Sequence, residues 1–259
     1  PLLGRRIGDA ADRVSFQTTF KGTEHWLLDD HRSRTGDALI PGTGYLEIAC
    51  GAFAELGDAA AIELRRVFFV APCVVNAEQD VELRTTLRRA SGDWELEIES
   101  RAAGGTEWQL HAQAEVGACK ERAPAPLRLG EIAARMGAPQ IAIAGQSLET
   151  LHARHLRFGP RWNVLRKMCF GANEALAELE LPSDFEADLG RYALHPALLD
   201  LATGFATPLI EGYTGAEFYA PMSYERVRVF APMPARIVSW VRGAQPNQVG
   251  KEVAVFDVV

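Results

Sequence analysis

His31 and Asp200 are the residues whose types and surroundings best fit acid/base chemistry. His31 stands in Asp30-His31-Arg32-Ser33-Arg34-Thr35-Gly36-Asp37-Ala38-Leu39-Ile40-Pro41-Gly42-Thr43-Gly44-Tyr45-Leu46-Glu47, and Asp200 closes Leu194-His195-Pro196-Ala197-Leu198-Leu199-Asp200. A neutral imidazole titrates near physiological pH and accepts a proton, whereas a carboxyl kept protonated by a dry site can donate one. Taken singly, a loop His is more often a surface or hydrogen-bonded residue, and an Asp in an apolar helix more often caps a neighbour. Context reverses that reading for Asp200. It lies beside Leu198, Leu199, Leu201 and Ala202, where an unpaired carboxylate is costly and calls for a purpose. Pro41 and Gly42 add a third part: Gly42 precedes a predicted helix, so its N–H can point at an oxygen that gains negative charge, and glycine lets a ligand approach the backbone closely. Thr43 is the expected N-cap.

The elements that must carry these residues are legible from hydrophobic spacing. After a short leader, Tyr45, Ile48, Ala49, Ala52, Phe53 and Leu56 predict a largely buried helix over residues 42–56, ended by Gly57. Three alternating runs follow: Val81, Leu83, Thr85 and Leu87; Trp94, Leu96 and Ile98; then Trp108, Leu110, Ala112, Ala114 and Val116. Ser91-Gly92-Asp93 and Gly104-Gly105 supply the turns of this antiparallel meander. Residues 121–140 contain Pro124, Pro126 and Pro139 around a short helical stretch near Leu129 to Met136 and read as a connector. The second half repeats the arrangement. A strand through Ala175 to Leu181 precedes a helix from about Pro196 to Phe205, with further strands at Val227 to Phe230, Ile237 to Val241 and Val253 to Phe256. His195-Pro196 sets the start of that helix, since Pro is favoured in a first helical turn. Periodicity alone gives an α+β class, as one double unit or two unrelated domains.

Composition narrows the partners. The 259 residues carry 27 Lys and Arg against 34 Asp and Glu, a net charge of −7, without the clustered cations that a nucleic-acid surface needs. No apolar run approaches a membrane span, so a cytoplasmic location is expected. Cys50, Cys73, Cys119 and Cys169 form no CxxC pair and read as reduced, mostly buried thiols. His25, His111, His152 and His155 have no partner motif. His152 with His155 lacks a carboxylate or Cys in a matching frame, and no metal is expected. Gly42-Thr43-Gly44 is not a nucleotide loop, because Glu47 stands where a third glycine is needed, and neither a GxSxG elbow nor a P-loop is present. The start at Pro1 and the end at Val259 within an apolar run suggest a piece of a longer polypeptide.

The two long motifs, with Pro1-Leu2-Leu3-Gly4-Arg5-Arg6, Arg157-Phe158-Gly159-Pro160-Arg161-Trp162, Leu179-Glu180-Leu181-Pro182 and Tyr224-Glu225-Arg226-Val227, resemble the dehydratase domain of a modular polyketide synthase over nearly the full length. The resemblance implies a double hot-dog fold, two antiparallel sheets each wrapping a central helix. Residues 1–120 would carry the His motif and residues 141–259 the Asp motif. It implies dehydration of a β-hydroxyacyl chain on an acyl carrier protein, with His31 as base and Asp200 as acid. Gly42, Pro41, Phe158, Gly159, Pro160 and Gly204 would bind the substrate. No metal or dissociable cofactor is implied, since the substrate rides on the carrier's phosphopantetheine arm. That arm would thread a mainly apolar tunnel, with Arg154, Arg157, Arg161, Arg166 and Lys167 available to its phosphate or to the acidic carrier. The partners implied are the carrier protein, neighbouring synthase domains and, by analogy with dimeric relatives, a second copy of the chain.

Three departures from the family pattern bear on activity. Four residues rather than three separate His31 from Gly36, so the extra residue either bulges or displaces the base. Gly204 stands one helical turn after Asp200, where the family has Gln or His able to orient the acid. Phe158 replaces a Tyr and loses its hydroxyl. Two alternatives to dehydration therefore stay open: double-bond isomerisation or cyclic-ether formation with the same pair, and a non-catalytic acyl-binding or dimerisation module.

Overall fold

Alternating hydrophobicity organises most of the chain into antiparallel strands. The computed structural model describes residues 2–21, 24–57, 60–75, 79–251 and 253–259; Pro1 of the opening motif lies outside them. The first half runs β1 (Arg5–Ala10), β2 (Arg13–Phe20), α1 (Trp26–Asp29), β3 (His31–Ser33), β4 (Ala38–Leu39), α2 (Gly42–Ala54), β5 (Ile62–Phe69), β6 (Val74–Val75), β7 (Val81–Ala90), β8 (Asp93–Ala102) and β9 (Gln109–Ala118). The second runs α3 (Leu129–Ala133), β10 (Gln140–Ile141), β11 (Leu156–Phe158), β12 (Leu165–Phe170), β13 (Glu174–Glu180), α4 (Pro196–Gly204), β14 (Ser223–Val229), β15 (Arg236–Gly243) and β16 (Phe256–Val258). No described helix is long and apolar enough to cross a membrane.

The described strands form a seven-stranded sheet in the order β1-β2-β7-β8-β9-β5-β14 and a five-stranded sheet, β10-β12-β13-β15-β16. Helix α2 packs against β5, β7 and β9, and α4 against β13 and β15, which is the double hot-dog arrangement. The two helices also contact each other, so one continuous apolar core spans Leu46 and Ile48 of α2, Leu64 of β5, and Leu198 and Leu201 of α4. Each such fully buried side chain contributes roughly 1.5–3 kcal/mol. A third, four-stranded sheet, β11-β3-β4-β6, was not anticipated, and it carries His31.

Several expectations need correction. The leader is structured: Val14, Phe16 and Phe20 face the core from β2, which pairs with β7 along its length. The alternation in β9 slips at a bulge opposite Ile98 and Glu99, so His111 rather than Leu110 points inward. There its Nδ1 meets Ala71 O at 3.0 Å and its Nε2 meets Ser100 Oγ at 2.6 Å. The last strand is β16 at Phe256–Val258, not Val253 to Phe256. Two segments cross the expected division of the chain. Strand β14, within residues 141–259, pairs with β5 of the first half, and Gln140 of the connector already belongs to the second sheet. The β7–β8 turn follows the sequence, with Ser91 and Gly92 at φ 47° and 95°, the positive values that match strand twist in a two-residue hairpin.

Candidate active site

His31 is fixed from two sides. Its Nδ1 lies 2.9 Å from Leu39 O. A carbonyl can only accept, so Nδ1 carries a hydrogen, and in the neutral ring Nε2 is then the nitrogen with the lone pair. The residue inserted before Gly36 is taken up by an exposed turn: Ser33 N donates to Asp37 O at 2.9 Å, Gly36 N to Ser33 O at 3.0 Å, and Gly36 adopts φ 102°. Arg32 still pairs with Ala38 across β3 and β4, so the insertion bulges beyond the strand that holds His31.

Strand β11 runs beside β3 with Phe158 opposite His31. Gly159 then passes directly over Asp30, donating its N–H to Asp30 O at 2.8 Å. A Cβ at Gly159 would stand 2.0 Å from Asp30 Oδ1, so only glycine fits. The Asp30 carboxyl is pushed up by burial, while Arg161, whose Nη1 lies 3.6 Å away, pulls it back. Pro160 opens a 3-10 turn, Pro160–Trp162, that delivers Trp162 to the interior. Gly159 and Pro160 thus hold the backbone behind His31.

Trp162 joins the two proposed proton-transfer residues. Its ring is stacked on Phe158 at 5.9 Å and lies 5.4 Å from the His31 ring, and its Nε1 donates to Asp200 Oδ2 at 2.8 Å. Trp162 belongs to the Arg157–Trp162 motif, but 38 residues separate it from Asp200 and no local spacing signals their contact. Asp200 itself is half-buried on α4, between fully buried Leu198 and Leu201. Half-buried Tyr224 of β14 is also close: burial raises its pKa, Thr203 lowers it, and the charge of Asp200 raises it further. Gly204 offers no polar group to Asp200. Its space is taken by His152, two of whose ring atoms would stand 3.0 Å from a Cβ there.

The N-termini of the two central helices meet beside this cluster. Pro41, not Thr43, is the N-cap of α2; Thr43 instead turns inward and donates from Oγ1 to Pro196 O at 3.1 Å. Gly42 is the first residue of α2 and packs against Phe69 and Pro221, where a Cβ would meet ring carbons at 3.0–3.2 Å. Glu47, read earlier only as a missing glycine, accepts from Leu194 N at 2.7 Å and from Ala193 N at 3.4 Å. Burial pushes its carboxyl up to about 7 against those two N–H groups. His195 is fully buried and stacked on Trp26 at 5.5 Å, and burial lowers its pKa to about 4. It is therefore neutral, 3.8 Å from Asp188 rather than ion-paired, in keeping with a structural role.

The basic cluster is mostly committed elsewhere. Arg161 binds Asp188 at 2.8 Å, Lys167 binds Glu178 at 2.9 Å, and Arg166 lies 3.6 Å from Glu180. Arg154 and Arg157 are exposed.

Residues 1–101 match a family profile described as "Polyketide synthase dehydratase domain", and residues 131–259 one described as "Polyketide synthase dehydratase N-terminal domain". The spectinabilin polyketide synthase system protein NorB of Streptomyces orinoci is 31% identical over 82% of this chain, which spans 10% of NorB. A trans-AT polyketide synthase dehydratase domain from Brevibacillus brevis superposes with a TM-score of 0.86 at 23% identity, covering 100% of this chain and 91% of that one. Two inactive variants of the CurK dehydratase, one His-to-Phe and one Asp-to-Asn, superpose at 0.83 and 0.82 with 20% identity. They cover 100% of this chain and 92% and 98% of theirs. With both halves matched and the fold shared throughout, the chain belongs to the polyketide synthase dehydratases, a family of hydro-lyases.

Proposed function

We propose that this domain removes water from a β-hydroxyacyl chain held on the phosphopantetheine arm of an acyl carrier protein, giving an α,β-unsaturated thioester. His31 takes the α-proton through Nε2, and the electron pair left behind becomes the Cα–Cβ double bond. The Cβ–O bond breaks as Asp200 protonates the oxygen, which leaves as water. Pro41 and Gly42 at the start of α2 receive the thioester carbonyl, whose oxygen gains charge during proton removal. Phe158, Gly159, Pro160 and Gly204 shape the surroundings of the pair. The reaction needs no metal and no dissociable cofactor, and neighbouring synthase domains supply and remove the chain.

The observation that carries this reading is Trp162, which contacts the His31 ring and hydrogen-bonds Asp200 at once. It is supported by the CurK variants, inactive when a His or an Asp is replaced. The test is mass spectrometry of carrier-bound β-hydroxyacyl substrates incubated with wild type, His31→Ala and Asp200→Asn, with NMR to locate the alkene. Loss of one water by the wild type alone is expected, with an α,β-alkene. A displaced alkene, or one consumed at constant mass, would replace this reaction by isomerisation or cyclisation, and water loss undiminished in either variant would remove that residue's role.

A further inference from the structure

His152 is brought to the site by a 3-10 turn, Leu151–Arg154, remote from both motifs. Its imidazole rests on the bare backbone of Gly204: Cε1 and Nδ1 would each stand 3.0 Å from a Cβ at that position, on the helix turn after Asp200. The absence of a side chain at 204 and the presence of the ring are thus two halves of one fit. Phe218 closes its other side at 6.0 Å, edge to face. Nε2 is buried, and no group among the described residues meets it with full hydrogen-bond geometry, an unusual state for an imidazole nitrogen.

Burial holds the His152 pKa below its ordinary value. The Asp200 carboxylate raises it, the His155 and His31 rings lower it, and the Tyr219 backbone raises it. The ring therefore shares an electrostatic environment with both His31 and Asp200. Residue 204 is placed one turn from Asp200, and whatever occupies its space faces the same side of α4.

We propose that His152 is a positioning residue of this site, seated on Gly204 so that its imidazole backs the face of α4 that bears Asp200 and holds Asp200 in its working orientation. The proposal rests on the reading of Asp200 as the proton donor. It explains why α4 carries no side chain at position 204: a Cβ there would push the ring away.

Two measurements test it separately from that reading. The first follows the ¹⁵N imidazole signals of His152 against pH in wild type and Asp200→Asn. Loss of the Asp200 carboxylate is expected to move its titration to lower pH; an unmoved titration would overturn the proposal whatever the activity. The second measures dehydration by His152→Phe, His152→Gln and Gly204→Ala. His152→Phe is expected to lower kcat on the order of 100-fold with KM little changed. His152→Gln, which keeps a polar group at that reach, is expected to recover about tenfold of the loss. Gly204→Ala, which displaces the ring, is expected to lower kcat as well. Wild-type kcat in folded His152→Phe would overturn the proposal. If the titration moves but the wild type dehydrates nothing, the coupling stands and the dehydration reading falls.

Discussion

Replacing Trp162 by Phe separates the two tasks of that residue. Phenylalanine keeps a ring against Phe158 and His31 but deletes the Nε1–H that Asp200 Oδ2 accepts at 2.8 Å. A hydrogen bond to an ionised group is worth about 1.5–3 kcal/mol and one between neutral groups about 0.5–1.5 kcal/mol. Each 1.36 kcal/mol is about tenfold in rate. If the bond holds Asp200 in its working orientation in the transition state, Trp162→Phe lowers kcat by about 10- to 150-fold for an ionised acid and by roughly 2- to 10-fold for a neutral one. Trp162 is only 2% exposed, so the smaller ring also leaves a cavity and costs about 1–3 kcal/mol of stability, read as a lower Tm. The assay is water loss from a carrier-bound β-hydroxyacyl thioester well below the Tm of the variant, beside His31→Ala as the zero. A Trp162→Phe protein with wild-type kcat and a lowered Tm would show that Trp162 is core packing and that its contact with Asp200 has no part in the reaction.

Two further outcomes follow from the helix contacts and the glycine turn. Glu47 titrates near 7 when folded against an ordinary value of 4.5, so the folded state holds more protons between those values and loses stability as pH rises through them. The loss is on the order of 3 kcal/mol; Glu47→Gln should flatten it, with urea unfolding at pH 5 and pH 8 as the check. Gly159→Ala would drive a Cβ into Asp30, 2.0 Å from Oδ1 and 2.8 Å from Cα, with destabilisation of about 3 kcal/mol or more and loss of activity, because the displaced backbone bears His31. Thermal unfolding without ligand separates it from a purely catalytic lesion.

The parts of this molecule that were legible were those written in local pattern. The α2 and α4 spans, the β7–β8–β9 meander and the Pro196 helix start follow from spacing, Pro and turn residues within a few positions. What stayed hidden depends on contacts far apart in sequence. Strand β1 carries too few apolar residues to declare itself, and β2, although Val14, Phe16 and Phe20 alternate along it, finds its partner in β7, far along the chain. The His111 register changed because a bulge in β9 cannot be read from alternation. Thr43 looked like a cap but found a carbonyl on the other helix. His152 lacked a motif because its partner is an empty space at Gly204, and sequence spacing does not register space.

Strand β14 has a consequence for biosynthesis. It is the only described partner of the β5 edge opposite β9, and it leaves the ribosome only after β10 to β13 and α4 of the second half have been made. Until β14 emerges the nascent first half presents an open strand edge, and until the segment entering α4 emerges Glu47 and Thr43 of α2 lack the Leu194 N–H and Pro196 carbonyl they bind in the finished domain. Vectorial synthesis therefore leaves the first half unsealed, with its aggregation-prone edge exposed for as long as translation from β9 to β14 takes. Slow codons placed within the second half would lengthen that window, and a chaperone that shields β5 would shorten its risk.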